Sequence, residues 1–160
     1  MTRILLSLLC NAVIAIWTVV ATVQTARRCA SDAGCTADAF RYFTTDSNLL
    51  SGAAALLIVC CDIRLLTTGD PLLPQWAVLV KYVAAVAVAV TFVTVMVFLG
   101  PAATYREMFA HEGLFLHLIG PLLAVLSFCA FDPGMAIDWG QTALGVLPTP
   151  PTACSTTARL

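Results

Sequence analysis

Four long apolar runs, separated by short polar segments, limit what this chain can fold into. The runs cover approximately residues 4–24, 39–66, 76–99 and 113–131. A helix needs about 20 residues to cross the roughly 30 Å of hydrocarbon in a bilayer, and it satisfies its own backbone hydrogen bonds there. The pattern therefore predicts an all-α fold, a polytopic bundle of four transmembrane helices.

Composition supports a membrane protein and excludes other classes. The chain has 160 residues, of which 60% are hydrophobic and 11% charged, and its net charge is −1. Soluble domains carry about twice that share of charge, and a nearly neutral chain offers no basic surface for nucleic acid. We expect one integral membrane domain over residues 1–147, surrounded by membrane lipids, with a Pro- and Thr-rich tail at 148–160. Composition leaves the homo-oligomeric state open.

Residue usage also bears on location and on metal binding. Basic residues are almost all Arg and Ala is abundant, which is typical of GC-rich bacterial genomes, so we expect a multi-pass protein of the bacterial inner (plasma) membrane. Most of the seven cysteines lie in apolar segments, where Cys acts as a small hydrophobe, and no spacing matches a zinc site. The sequence therefore predicts no metal and no cofactor. Cys29 and Cys35 differ, because both lie in the polar first loop and would form a disulfide in an oxidising compartment.

The second apolar run begins with a polar stretch that is the first place to look for function. Residues 49–61 rise only about 20 Å as a helix, so a spanning helix must include the polar residues from Thr44 to Asn48. Such residues are costly at the membrane boundary unless they face protein or water. Two interpretations fit: the stretch starts the helix through capping side chains such as Asp46, or it forms a functional polar cluster.

A histidine in the fourth run lies at the same depth as this polar stretch. His117 is four residues before Pro121, which has no N–H to donate to the His117 carbonyl, so we expect a kink that leaves an acceptor without its partner. The connections before the second and fourth helices lie on one membrane side, which places Thr44 and His117 in the same leaflet. A hydroxyl beside an imidazole can act as nucleophile and general base. Alternatively, the histidine packs helices through a hydrogen bond.

Further polar side chains share one face of the second helix. Their spacing is i, i+3, i+7 and i+10, which aligns them along that face. They are Arg41, Thr44, Asn48 and Ser51. We expect them to form a cluster that supports the Thr44 hydroxyl.

One ion pair is predicted at the other membrane side. Asp62 ends the second helix there, and Lys81 lies about a turn and a half inside the third helix. The two charges form a natural structural ion pair. Alternatively, Lys81 extends to the lipid headgroups.

These segments resemble bacterial six-span membrane proteins of the androgen-induced/androgen-dependent family, which includes multi-pass threonine lipid hydrolases. The resemblance is carried by F-R-Y-F-T-T-D-S-N-L-L at residues 40–50, T-F-V-T-V-M-V-F-L-G-P at 91–101 and M-F-A-H-E-G-L-F-L-H-L-I-G-P-L-L-A at 108–124. It covers roughly residues 5–147. In animal members, a motif of type K-F-L-T carries a nucleophilic Thr and a motif of type H-x-x-x-x-P carries a His.

The resemblance implies a lipid ester hydrolase. Residues 41–44 match the first motif, and residues 117–121 resemble the second with one residue fewer before the Pro. Carried over, Thr44 is the nucleophile and His117 the base, while Asp46 and Asn48 orient His117 or bind an oxyanion. The competing hypothesis is a non-enzymatic membrane protein that packs helices, binds a partner, or binds or transports a small solute.

The C-terminal segment departs from the family pattern. Family members continue from a stretch like residues 145–149 into two further spans, whereas Pro, Thr and Ser dominate residues 148–160 here. We expect a frameshift or a gene-model error near Pro148. The genomic DNA would then encode about two apolar spans in a shifted frame.

Overall fold

A computed structural model describes residues 1–29, 43–69, 73–102, 104–131 and 139–143, which form helices and turns without a strand. This confirms the all-α prediction. The helices are α1 (Thr2–Cys29), α2 (Phe43–Thr68), α3 (Gln75–Thr94), α4 (Tyr105–Met108), α5 (Gly120–Phe131) and α6 (Trp139–Ala143). A π-helical turn, Val95–Leu99, extends α3 into Gly100–Ala102, and a second one, Phe115–Ile119, leads into α5. The predicted tail at 148–160 lies outside the described residues.

Three helices are long and apolar enough to cross a membrane. They are Thr2–Arg27, Phe43–Thr68 and Gln75–Ala102, whose most apolar 18-residue windows have mean hydropathies of 2.4, 2.1 and 2.6. The fourth predicted span is a shorter apolar helix, Phe115–Phe131, which rises about 26 Å at 1.5 Å per residue. The helices fit an integral membrane protein. The four-span prediction therefore corresponds to three helices of full length and a fourth that falls slightly short of the hydrocarbon thickness.

The helices close into a bundle around a small apolar centre. Helix α1 packs on α2, α2 on α3, α3 on α5, and α5 on α1. Each of these four helices contributes one buried residue to the centre, and the four are Ile14, Ala55, Val88 and Ala124. Two of the four are alanines, so the helices can approach one another closely there.

Two Gly-Pro pairs explain the two π-helical turns. The Gly100 N–H donates to the Val95 carbonyl, and the Gly120 N–H donates to the Phe115 carbonyl, each five residues back. The proline that follows each glycine has no N–H to donate. The carbonyl five residues before each proline therefore lacks the backbone donors that a regular α-helix or π-helix would supply.

Side chains supply the missing donors at both turns. The Tyr105 hydroxyl donates to the Met96 carbonyl at 2.9 Å, and the Asn48 side-chain amide donates to the Leu116 carbonyl at 3.1 Å. The sequence predicted that the proline would free the His117 carbonyl. Because the π-helical turn shifts the hydrogen-bond register by one residue, the acceptor that a side chain reaches is the Leu116 carbonyl instead.

Arg3 joins the start of α1 to the end of α5. Its Nη2 atom donates to the Phe131 carbonyl at 3.0 Å, and a cation at a helix C-terminus contributes about 0.3–1 kcal/mol. We expect Arg3→Met to lower the free energy of unfolding by about that amount, as measured by denaturant titration in micelles. Thr2→Met, at the adjacent exposed and uncharged position of α1, is the control. An equal loss in both variants would contradict a role for this bond.

Candidate functional site

The candidate site lies where the start of α2 meets the π-helical turn Phe115–Ile119. The Asn48 amide donates to the Thr44 carbonyl at 2.8 Å and to the Leu116 carbonyl at 3.1 Å. Thr44 is thus one helical turn from a side chain that contacts the residue preceding His117. These bonds link the Thr44 backbone to the residue that precedes His117. Direct contact between the Thr44 hydroxyl and the His117 imidazole stays a prediction.

The His117 imidazole is half-buried and has one notable feature. Its Nδ1 atom is buried and makes no hydrogen bond within the part of the chain that the structure describes. A buried polar atom without a partner costs about 1–3 kcal/mol, and in native proteins such an atom has a specific reason, which is strain, a catalytic role or a bound water or ion. The Nδ1 atom of His117 therefore has hydrogen-bonding capacity that no described residue uses.

Other residues of the polar stretch start the helix or pack it. The hydroxyls of Ser47 and Thr91 lie 2.9 Å apart and join α2 to α3. Asp46 is exposed in the first turn of α2, where a carboxylate interacts favourably with the helix dipole. This position favours the helix-start interpretation of Asp46, and a role in orienting His117 or in binding an oxyanion stays a prediction.

Three predicted site residues lie elsewhere or outside the described residues. Ser51 is buried two turns along α2 from Thr44 and lines a narrow crevice between the helices. Arg41 and Cys35 lie outside the described residues, so the contribution of Arg41 and the Cys29–Cys35 disulfide stay predictions. Of the side chains proposed to surround Thr44, Asn48 is the one whose hydrogen bonds link Thr44 to the turn that contains His117.

A second polar cluster, the α1 network, occupies the half of the bundle nearer the start of α1. It consists of Ser7, Asn11, Asp62 and Ser127, which connect three helices. The Ser7 hydroxyl donates to Asp62 Oδ2 at 2.8 Å, and the Asn11 amide donates to the Ser7 carbonyl at 2.8 Å. The Ser127 hydroxyl donates to Asn11 Oδ1 at 3.4 Å. This network satisfies polar groups that would be costly inside an apolar bundle.

Lys81 lies beside this network. It is 4% exposed and lines the crevice together with Asn11 and Ser51. Its burial disfavours the alternative in which the ammonium extends to the lipid headgroups. The expected ion pair with Asp62 stays a prediction, although Asp62 belongs to the adjoining network.

The α1 network was not predicted, although the sequence of the first helix carries a signal for it. Ser7, Asn11 and Thr18 are all buried and follow each other at intervals of four and seven residues, which places them on one helix face. Polar residues on one face of an apolar helix indicate a face that packs on protein. That periodicity would have identified α1 as a contributor of polar groups to the interior.

Among the described residues, no group of three or more His, Cys, Asp or Glu is placed to hold a metal ion. Comparisons with protein-family models, curated proteins and solved structures found no match for this chain. The family resemblance stays a prediction from the motifs at residues 40–50 and 108–124.

Proposed function

We propose that this chain is a cell-membrane hydrolase of lipid esters, with Thr44 as nucleophile and His117 as general base. The proposal adopts the family that the motifs around these two residues resemble. The observation that carries it is the side chain of Asn48, which bonds both to the Thr44 carbonyl and to the Leu116 carbonyl next to His117. These two bonds support the proposal that the Thr44 motif and the His117 motif lie next to each other.

The chemistry requires both residues. A threonine hydroxyl is hardly ionised at neutral pH, so it needs a base that removes its proton during attack. In the proposed reaction His117 takes that proton as Thr44 Oγ1 attacks the ester carbonyl, and it returns the proton to the departing alcohol. Water then cleaves the acyl-threonine with His117 again as base, releasing the fatty acid. No described residue bonds to the buried Nδ1 of His117, and this supports the role of base.

Labelling with a fluorophosphonate activity probe in membranes tests the proposal. We expect the parent chain to be labelled, and Thr44→Ala and His117→Ala to fall to background at equal abundance. Thr45→Ala is the matched control, because Thr45 is the adjacent, similarly half-buried hydroxyl, and it should be labelled like the parent. Hydrolysis of lipid esters of varied chain length would then identify the substrate.

A labelling result that contradicts the hydrolase proposal would favour a second candidate function. If the parent is not labelled, or if Thr44→Ala retains labelling, Thr44 is not the nucleophile. The polar stretch would then serve helix packing in a non-enzymatic membrane protein. The bond between the hydroxyls of Ser47 and Thr91 favours that candidate, since it uses part of the same stretch to join α2 to α3.

A further inference from the structure

Two buried hydroxyls between α2 and α3 form a chain of contacts that reaches the proposed nucleophile. Ser47 Oγ lies 3.1 Å from the Thr44 carbonyl oxygen and 2.9 Å from Thr91 Oγ1. Thr91 Oγ1 lies 3.3 Å from the Ala87 carbonyl oxygen. Ser47 and Thr91 are only 2% and 3% exposed, so bulk water does not replace these contacts.

The number of protons favours one direction for this chain of contacts. Each hydroxyl has a single proton to donate, and the 2.9 Å separation of the two hydroxyl oxygens indicates that one of the two protons lies between them. In one arrangement Thr91 donates to Ser47, and Ser47 donates to the Thr44 carbonyl. In the other, Ser47 donates to Thr91, and Thr91 donates to the Ala87 carbonyl. Hydroxyl donors lie most often about 2.7–2.8 Å from their acceptors, so the shorter carbonyl contact, at 3.1 Å rather than 3.3 Å, favours the direction that ends at Thr44.

The Thr44 carbonyl is also bonded by Asn48, which connects it to the helix that carries His117. The Asn48 amide donates to the Thr44 carbonyl at 2.8 Å and to the Leu116 carbonyl at 3.1 Å. The Thr44 backbone is thus tied to α3 through Ser47 and to the π-helical turn through Asn48. A threonine side chain in a helix has about two favoured χ1 rotamers, so a fixed backbone restricts Oγ1 to few positions.

We propose that Ser47 is a positioning residue for Thr44, with Thr91 as the donor that fixes it. The Thr91 hydroxyl donates to Ser47 Oγ, and the Ser47 hydroxyl donates to the Thr44 carbonyl, an arrangement that we call the Thr91–Ser47 relay. The inference rests on the proposed role of Thr44 as nucleophile. A displacement of a reacting group by about 1 Å costs about 100-fold in rate, so a relay that fixes Thr44 relative to His117 affects the reaction without contacting the substrate. The opposite direction, which ends at the Ala87 carbonyl, would join the helices without holding Thr44.

The kinetics of fluorophosphonate labelling in lipid nanodiscs test the positioning role. We expect Ser47→Ala and Thr91→Val to lower the rate constant of labelling about 10-fold, while the final labelled fraction stays that of the parent. Thr91→Ser keeps the hydroxyl and should label at nearly the parent rate. Thr94→Val removes an exposed hydroxyl three residues further along α3, and this control should also label at the parent rate.

A role confined to packing would give a different result. It would lower the final labelled fraction, because fewer molecules would be folded, and would leave the rate constant unchanged. That result in Ser47→Ala would overturn the proposal. The double variant Ser47→Ala with Thr91→Val should label no more slowly than Ser47→Ala alone, because Thr91 acts through Ser47. Further slowing in the double variant would also overturn the relay.

Hydrogen–deuterium exchange tests the relay without enzymatic activity, so it decides even if the parent is not labelled and the hydrolase proposal fails. Amide protons in the first turns of α2 exchange when those turns open locally, and the relay opposes that opening. We expect the amides of residues 45–50 to exchange several-fold faster in Ser47→Ala and in Thr91→Val than in the parent or in Thr94→Val. Faster exchange supports the relay whether or not the probe reacts. Exchange at the parent rate in Ser47→Ala would overturn it.

Discussion

Gly52→Ala is expected to destabilise the bundle by about 1–3 kcal/mol, although alanine is the better helix former. A Cβ atom at Gly52 would lie 2.7 Å from Thr18 Cγ2 and 2.8 Å from Thr18 Cβ. Because Thr18 Cβ is bonded to the backbone, rotating the threonine side chain cannot relieve that contact. Helices α1 and α2 would have to move apart, which also disturbs their buried faces.

The expected change in stability has opposite signs with and without the close contact, so its measurement decides between the two cases. At a position with free space, replacing helical Gly with Ala raises stability by about 1 kcal/mol. Denaturant titration in micelles should show a loss for Gly52→Ala and little change for Ala53→Val at the exposed neighbouring position. Adding Thr18→Ala to Gly52→Ala should recover part of the loss, since the pair is in contact. A gain in stability for Gly52→Ala would contradict the close approach of the two helices.

Asn48→Leu is expected to lower the free energy of unfolding by about 1–3 kcal/mol, because it leaves the Leu116 carbonyl without a donor inside the bundle. The Asn48 amide is also a donor to the Thr44 carbonyl, so the start of α2 should loosen as well. Asn48 is buried, with 3% of its surface exposed. Water therefore cannot easily replace the lost donor.

Tyr105→Phe offers a matched control for Asn48→Leu. It removes the corresponding donor to the Met96 carbonyl at the other Gly-Pro turn. Tyr105 is 44% exposed, so solvent or headgroups can satisfy that carbonyl, and we expect a smaller loss in the same denaturant titration. Equal losses in the two variants would contradict the importance of burial at the π-helical turn that contains His117.

The two Gly-Pro turns show how far local sequence reasoning extends. Proline lacks an N–H and crowds the preceding helical turn wherever it occurs, so a distortion near His117 was predictable from Pro121 alone. Its form was not. Whether the helix bends or takes up an extra residue depends on the neighbouring side chains, here Asn48 from α2 and Tyr105 from a short helix after the turn.

The candidate site was partly predictable for a similar reason. Successive connections between four transmembrane helices lie on alternate sides of the membrane. Thr44 and His117 both follow connections on the same side, so the number of spans alone predicts that they lie at similar depth. Rotation of each helix about its axis is not determined by that count. It is set by contacts between helices, such as those of Asn48, and these also direct Ser51 toward the crevice with Lys81.

By itself, the sequence determined the all-α class, the positions of the apolar helices and the polar stretch at the start of α2, because these follow from hydropathy, helix length and backbone hydrogen bonding along a single segment. Only the tertiary structure decided that Asn48 bonds to the Leu116 carbonyl, that Gly52 lies against Thr18, and that Ser7 and Asn11 meet Asp62 and Ser127. Those contacts join residues far apart in the chain. They depend on how the side chains of separate helices interlock, which no single helix specifies.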